Sequence, residues 1–436
     1  MSEDSRLHAL TLRDAAAAMA EHHVTARALA DAQLARIAAT DAAIEAWEAL
    51  DPAYVRSEAQ RCDDARNEGI AGPLAGIGIA VKDIIATADL PTTMGSPIYA
   101  GHRPTADAAC VARLRAVGAY VFGKTVTTPF AYMDPGKTHN PWDPAHSPGG
   151  SSSGSAAAVA ASHVSAAIGT QTNGSIVRPA AYCGVVGFKP SLAAIPVDGV
   201  YLFSGTFDTV GTLTRTVADA ALLASVLADT RRIAPAIAPL AKAPRLAYLR
   251  GFPWVQQDAA SHAVVDAAVA RLAMDADIVP VAIAAPWQEA NRIHRTIMLC
   301  EGAHLLGTLQ QRERARLTPA INAALDDGRA MGDERYREAL DARARAIAFF
   351  TGWLDGFDAV LAPAAPGPAP KGLAATGDPS CCTLWSLLGF PALSLPVGRA
   401  GRLPMGLQLA APHGRDDRLL SVAAWCEARL PFSALA

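Results

Sequence analysis

Residues 145–190 read AHSPGGSSSGSAAAVAASHVSAAIGTQTNGSIVRPAAYCGVVGFKP. The stretch opens on Pro, Gly and Ser, residues that set tight backbone turns rather than a helix or a central strand. A run of small residues at 156–169 follows at once and predicts a helix able to pack very closely. A second glycine loop, Gly169 to Ser175, comes next, and then an apolar return, AAYCGVVGF, of short-strand character. A flexible Gly/Ser linker is not normally followed directly by a close-packing Ala helix. The two serine-bearing loops are therefore read as structured backbone on a core.

Outward from this centre the pattern alternates. Upstream, GIGIAVKDIIAT after the AGPLAG punctuation is a short β-rich run with Lys82 inside it. Residues 105–117 predict an amphipathic helix ended by Gly118, and AYVFG predicts the next strand. The first 70 residues read as helices, with Thr11 and Thr25 as caps. Downstream, helices are predicted at 215–229, 258–273 and 286–356, with an Ala/Pro-rich connector at 230–244. DAVLAP and ALSLPVG predict strands, and a last helix lies near 416–428. Helix and strand in alternation give an α/β class, a sheet with crossover helices. No linker forces a boundary, so one large domain is expected over 1–436. Its parts are a helical segment 1–70, a core 71–230, a variable helical region 285–355 and a core return 356–436.

The chain has 436 residues, 51% apolar and 18% charged, with net charge −3. That excludes a disordered chain and leaves no basic footprint for nucleic acid. Seven cysteines, at 62, 110, 183, 300, 381, 382 and 426, form no CxxC pair, against a disulfide framework or a structural zinc site. No apolar run reaches about 18 residues. MSEDSRLHAL lacks the apolar centre of a secretory signal, and a cytoplasmic location is expected.

Candidate chemistry-bearing residues follow. Gly118 to Thr125 matches GxxxxGK[ST], but a helix precedes it and strand-like residues fill it, the wrong context for a phosphate loop. Gly150-Ser151-Ser152-Ser153-Gly154 fits GxSxG, yet HNPWDPAHSP before it cannot be a central strand. The downstream histidines 163, 262, 294, 304 and 413 lie in no suggestive setting. Six lysines stand against 32 arginines, so each lysine asks why it is not Arg. Lys82 would lie in or at the end of a buried strand, where an ammonium is paired, solvated or neutral. An ion pair with Asp83 is the structural alternative, weakened because strand neighbours point to opposite faces. A serine without a histidine needs another base, and a desolvated lysine can serve. Tight backbone near a serine can converge N–H groups on one developing charge.

These stretches together resemble the amidase signature family over roughly residues 11–230 and 355–425. PLAGIGIAVKDIIATADLPTTMGSP is similar to its lysine segment, HSPGGSSSGSAAAVAA to its Gly-Ser segment, and GTQTNGSIVRPAAYCGVVGFKPS to its nucleophile segment. FDTVGTLTRTVADAALL and GFPALSLPVG with GRLPMGLQL also match. Lys82 to Ser151 spans 69 residues and Ser151 to Ser175 spans 24, as in the family. The resemblance implies a mixed twisted β-sheet covered by helices on both faces, with Ser175 as nucleophile, Ser151 as a bridging serine behind a cis peptide, and Lys82 as general base. It implies an oxyanion hole from the N–H groups of Thr172, Asn173, Gly174 and Ser175, with Ser152 and Thr170 as support. Ser153, Gln171 and Asn173 depart from the commoner Gly, Asp and Gly. Arg178 stands three residues after the nucleophile rather than two, similar to a bacterial branch that includes malonamidase and urethane-cleaving relatives.

The implied activity is hydrolysis of a C–N bond in a small amide or carbamate through an acyl-enzyme, without metal or cofactor, nucleic acid or membrane; a homodimer is compatible with it. The rivals are a glutamine-amidotransferase-type subunit needing a partner and a silent binding protein on the same scaffold. Trp287, Met298, Tyr336, Phe349, Phe350 and Trp353 are expected to wall an apolar pocket for a neutral substrate, with Arg178 structural.

Overall fold

The computed structural model describes residues 3–70, 72–228 and 233–435. The first residues of the expected connector, 230–232, lie outside these. In the N-terminal part, Thr11 caps α1 (Leu12–Ala20) and Thr25 caps α2 (Ala26–Ile44), each accepting from a first-turn N–H. β1 (Trp47–Ala49) and α3 (Pro52–Asn67) follow. β2 (Gly78–Lys82), α4 (Ala109–Ala116), β3 (Tyr120–Thr125), α5 (Ser153–Ala160) and β4 (Ala166–Gln171) lead to the second glycine loop. Beyond it come α6 (Val177–Cys183), β5 (Val186–Lys189), β6 (Thr209–Thr214) and α7 (Val217–Leu227). β7 (Arg245–Leu249), α8 (Ala259–Leu272) and β8 (Asp277–Val281) precede a long helical pair, α9 (Ala290–Glu313) and α10 (Pro319–Trp353). β9 (Ala359–Pro363), α11 (Thr383–Leu388), β10 (Ala392–Ala400), β11 (Leu403–Ala410) and α12 (Asp416–Glu427) close the chain.

All the strands join one sheet in the order β1-β3-β2-β4-β6-β5-β10-β11-β9-β7-β8. It is mixed. β2 pairs in parallel with β3 and β4, and β7 with β8 and β9. β4–β6, β6–β5, β5–β10, β10–β11 and β11–β9 are antiparallel. Alternation along the strands shows why both faces are covered. Leu246, Leu361, Leu393, Leu395, Leu407 and Leu409 pack with residues of α7, α8 and α12. Their strand neighbours Ala247, Val360, Ala362, Ala392 and Ala410 pack with residues of α9, α10 and α11. Strands buried on both faces read as continuous apolar runs, as DAVLAP does. The chain is a single large α/β domain with a mixed, helix-flanked sheet.

The structure corrects three local readings. The small-residue run is a helix only to Ala160, and Ala166–Gln171 is a strand held between β2 and β6. Alanine favours helix in isolation, but sheet pairing on both sides overrides that preference. The helix expected over 105–117 begins at Ala109, because the N–H groups of Ala108 and Ala109 are committed to Ala86 and Asp198. β1 breaks the all-helical reading of the first 70 residues by adding an edge strand to β3. The segment 286–356 is mostly helical as read, in α9 and in α10, which Pro319 opens and Gly332 interrupts with non-helical backbone.

Candidate active site

The site forms where β2 and β4 end side by side. Their register pairs Val81 with Ile168, so Lys82 closes β2 beside Gly169 and Thr170 of β4. Lys82 is fully buried, and its Nζ lies 2.7 Å from Ser151 Oγ, 2.8 Å from Thr170 Oγ1 and 3.5 Å from the Thr170 carbonyl. Its partners are hydroxyls and a carbonyl. Asp83, on the other side of the strand end, turns to Lys124 at 3.6 Å. Burial pushes the Lys82 ammonium down to about 7, and the Asp208 charge opposes that shift.

Ser151 follows a cis Gly150–Ser151 peptide bond, just before α5 begins. Ser152 Oγ donates to the Thr170 carbonyl at 3.1 Å and accepts from the Thr170 N–H at 3.3 Å. This reciprocal pair joins the two serine loops. It needs Gly169, where a Cβ would lie 2.7 Å from Ser152 Oγ.

Side chains hold the turn from Gln171 to Ser175 from several directions. Gln171 Oε1 accepts from the N–H groups of Ile176 (2.8 Å) and Val177 (3.0 Å), which caps α6. Its Nε2 donates to Ser386 Oγ at 3.1 Å, and Ser386 Oγ donates to the Asn173 carbonyl at 2.5 Å. Thr383 Oγ1 donates to Asn173 Oδ1 at 2.9 Å. His294 Nε2 donates to the Thr172 carbonyl at 3.1 Å, with its ring stacked on Phe207. Burial pushes the His294 imidazole down to about 4, so it serves this bond as a neutral donor. Thr172 Oγ1 donates to Asp208. Among the described residues, no protein acceptor takes a hydrogen bond from the N–H groups of Thr172, Asn173, Gly174 or Ser175. Four adjacent N–H groups without an acceptor can receive an anionic oxygen. Ser175 ends this turn and is 8% exposed.

Arg178, in the first turn of α6, donates from Nη2 to the Gly150 carbonyl at 2.7 Å and from Nη1 to the Gly377 carbonyl. It ties the helix behind Ser175 to the backbone behind Ser151. Lys82, Ser151, Ser152 and Thr170 thus come into one hydrogen-bonded cluster, Arg178 bonds to the carbonyl preceding Ser151, and Thr172 to Ser175 form the adjoining turn.

The expected aromatic pocket is not formed as read. Trp287, Phe349, Phe350 and Trp353 meet one another in tilted and edge-on contacts, and Phe350 is fully buried. Met298 packs against core clusters. Phe350 joins the core against the sheet, whereas Phe349 stays 38% exposed and Trp287 lines a polar cleft of about 540 Å³ with Arg292, Thr296 and Arg335. Tyr336 instead donates to Glu301 at 2.7 Å and lines a cleft of about 530 Å³ with Cys300, His304 and Arg329. Asp208, Ser386 and Glu301 escaped the sequence reading, and His294, set aside there for want of a suggestive setting, holds the Thr172 carbonyl. FDTVG, an acid directly before a β-rich run, was the available signal for Asp208.

Residues 28–420 match the amidase family. The chain is 34% identical over 469 residues to a subunit of the glutamyl-tRNA(Gln) amidotransferase of Chloroflexus aurantiacus, covering 96% of each chain. It is 30% identical to an amidase of known crystal structure, with a TM-score of 0.87 over 97% of this chain and 100% of the other. It is 29% identical to the peptide amidase of Stenotrophomonas maltophilia, with a TM-score of 0.81 over 96% of both. The match along the chain, the mixed sheet and the lysine-serine cluster agree: the chain belongs to the amidase-signature family of hydrolases.

Proposed function

We propose that the chain hydrolyses the C–N bond of a neutral amide or carbamate through an acyl-enzyme on Ser175. The observation that carries this reading is a fully buried lysine whose partners are hydroxyls and a carbonyl. Such a lysine is readily neutral and can act as a base. Neutral Lys82 takes the Ser151 proton while Ser151 takes the Ser175 proton. Ser175 Oγ attacks the carbonyl carbon, and the oxyanion meets the N–H groups of residues 172–175. The C–N bond breaks as the proton returns through Ser151 to the leaving nitrogen. Water, deprotonated by the same relay, then attacks the ester, releasing the acid and Ser175. Arg178 is structural here, since its terminal nitrogens bond two backbone carbonyls, which favours a substrate without a carboxylate.

A second reading has specific support: the 34% identity to a glutamyl-tRNA(Gln) amidotransferase component over 96% of the chain. There the same attack would open the side-chain amide of glutamine, and a partner would receive the ammonia. The isolated chain is incubated with aryl amides, aliphatic amides, carbamates and glutamine. Amine release from a neutral amide or carbamate without added protein is the expected result. Glutamine cleavage alone, and only with a partner protein present, would establish the other reading. A fluorophosphonate should label Ser175, and Ser175→Ala should lower turnover about 10⁴-fold or more. Full activity in that variant, or label on Ser152, would overturn the assignment.

A further inference from the structure

We infer that Asp208 is a positioning residue of the acyl-transfer site, holding the Thr172 end of the Gln171–Ser175 turn and supplying a negative charge that acts on Lys82. The inference rests on the proposed relay from Ser175 through Ser151 to Lys82.

The register of β4 and β6 creates the arrangement. Gln171 pairs with Thr209 and Thr170 with Val210, so one further step sets Thr172 beside Asp208. Asp208 Oδ1 accepts from Thr172 Oγ1. Its Oδ2 accepts from the N–H of Phe203 at 2.6 Å and of Ser204 at 3.0 Å. The carboxylate is 8% exposed, and its hydrogen-bond donors are a hydroxyl and two amides rather than a cation. A buried carboxylate without an ion-pair partner is costly, and a loop-fastening role could be filled by a neutral asparagine. Burial raises the Asp208 carboxyl, and the Thr172 hydroxyl, the two amides and the Lys82 charge oppose that shift; the Thr170 partner of Lys82 lies two residues from Thr172 along the chain.

The neighbouring charges are otherwise engaged. Asp83 faces Lys124. Glu301, on α9, accepts from Ser204, Thr206 and Tyr336 at the outer side of the 203–206 loop. Arg343, on α10, lies over the Phe207 ring at 5.8 Å and donates to the Leu387 carbonyl. His294 is a neutral donor to the Thr172 carbonyl. Asp208 combines two functions: its hydroxyl bond fixes the turn whose N–H groups meet the oxyanion, and its charge raises the proton affinity of Lys82.

Two variants separate them. Asp208→Asn removes the charge, so protonated Lys82 loses a favourable neighbour and sheds its proton more readily. The acid limb of kcat/KM should move to lower pH by about half a unit to one unit. Thr172→Val removes the hydroxyl and keeps the charge. It should lower kcat about tenfold or more with the limb unmoved, and Thr172→Ser should restore most of the rate. Profiles are measured on the full chain with an amide it cleaves, alongside thermal unfolding. If the Asp208→Asn limb overlays that of wild type while only Tm falls, the charge has no role and the inference is overturned. If Asp208→Asn does not fold, Thr172→Val turning over at the wild-type rate overturns it. A wild-type profile without an acid limb would instead refute the Lys82 relay itself.

Discussion

Lysine at the end of a buried strand titrates according to what surrounds its nitrogen. Burial pulls Lys82 from 10.5 down to about 7, which makes the neutral amine accessible near neutral pH. Activity should therefore rise through about pH 7 to a plateau, and Lys82→Arg, which stays protonated, should be inactive. The same shift acts on stability. The unfolded lysine binds its proton more tightly, so Lys82 disfavours the folded state increasingly as pH falls from 10.5 to about 7, and constantly below that. Lys82→Met should be inactive yet more stable than wild type at pH 6 by about 2–4 kcal/mol, less for its lost hydrogen bonds, with the gap closing toward pH 10. Thermal unfolding of both proteins at pH 6 and 9 checks this, and a gap that widens with rising pH would contradict it. At this scale much was legible. Lys82, Ser151 and Ser175 carry their own motifs, and the scarcity of lysine singled out Lys82. Asp208 was not singled out: FDTVG marks an acid at the start of a strand, but only the pairing of β4 with β6 brings it to Thr172.

Among the elements, α5 carries the greatest steric constraint. All eight of its residues are buried, and it begins two residues after Ser151. At Gly154 a Cβ would stand 2.3 Å from the Ala46 carbonyl oxygen and 2.5 Å from the Val126 nitrogen. Backbone on both sides cannot yield as a flexible side chain can. Gly154→Ala should cost about 2–3 kcal/mol or more and lower activity further than the unfolded fraction explains, because the displaced helix takes Ser151 and Ser152 with it. Denaturant unfolding and kcat/KM of the folded fraction test the two parts; wild-type stability would show that the helix can shift freely. The run that disclosed close packing also misled about length. Ala166–Gln171 resembles the helix before it in composition, and only its place between β2 and β6 makes it a strand.

Across the whole molecule the sheet leaves few reactive groups outside. Six of the seven free cysteines are buried, and Cys300 is half-buried at the α9–α10 cleft. Burial raises the thiols of Cys110, Cys382 and Cys426 to about 12 and shifts the others upward as well. A thiolate-trapping reagent at pH 8 should titrate about one thiol, slowly, in the native protein and all seven after denaturation; two or more fast native thiols would contradict this packing. The residues alone determined the α/β class, the caps at Thr11 and Thr25, the strand holding Lys82 and the two serine loops. These follow from periodicity, capping and motif spacing, which are local or carried along the chain in order. Tertiary structure decided the strand order, the conversion of Ala166–Gln171 to strand and the packing of the expected aromatic wall largely on itself. It also brought Arg178 to the carbonyls of Gly150 and Gly377, and Asp208 to Thr172. Each of these depends on which distant segment arrives beside which, and that is chosen by packing and hydrogen bonding of the assembled sheet rather than by any residue's near neighbours.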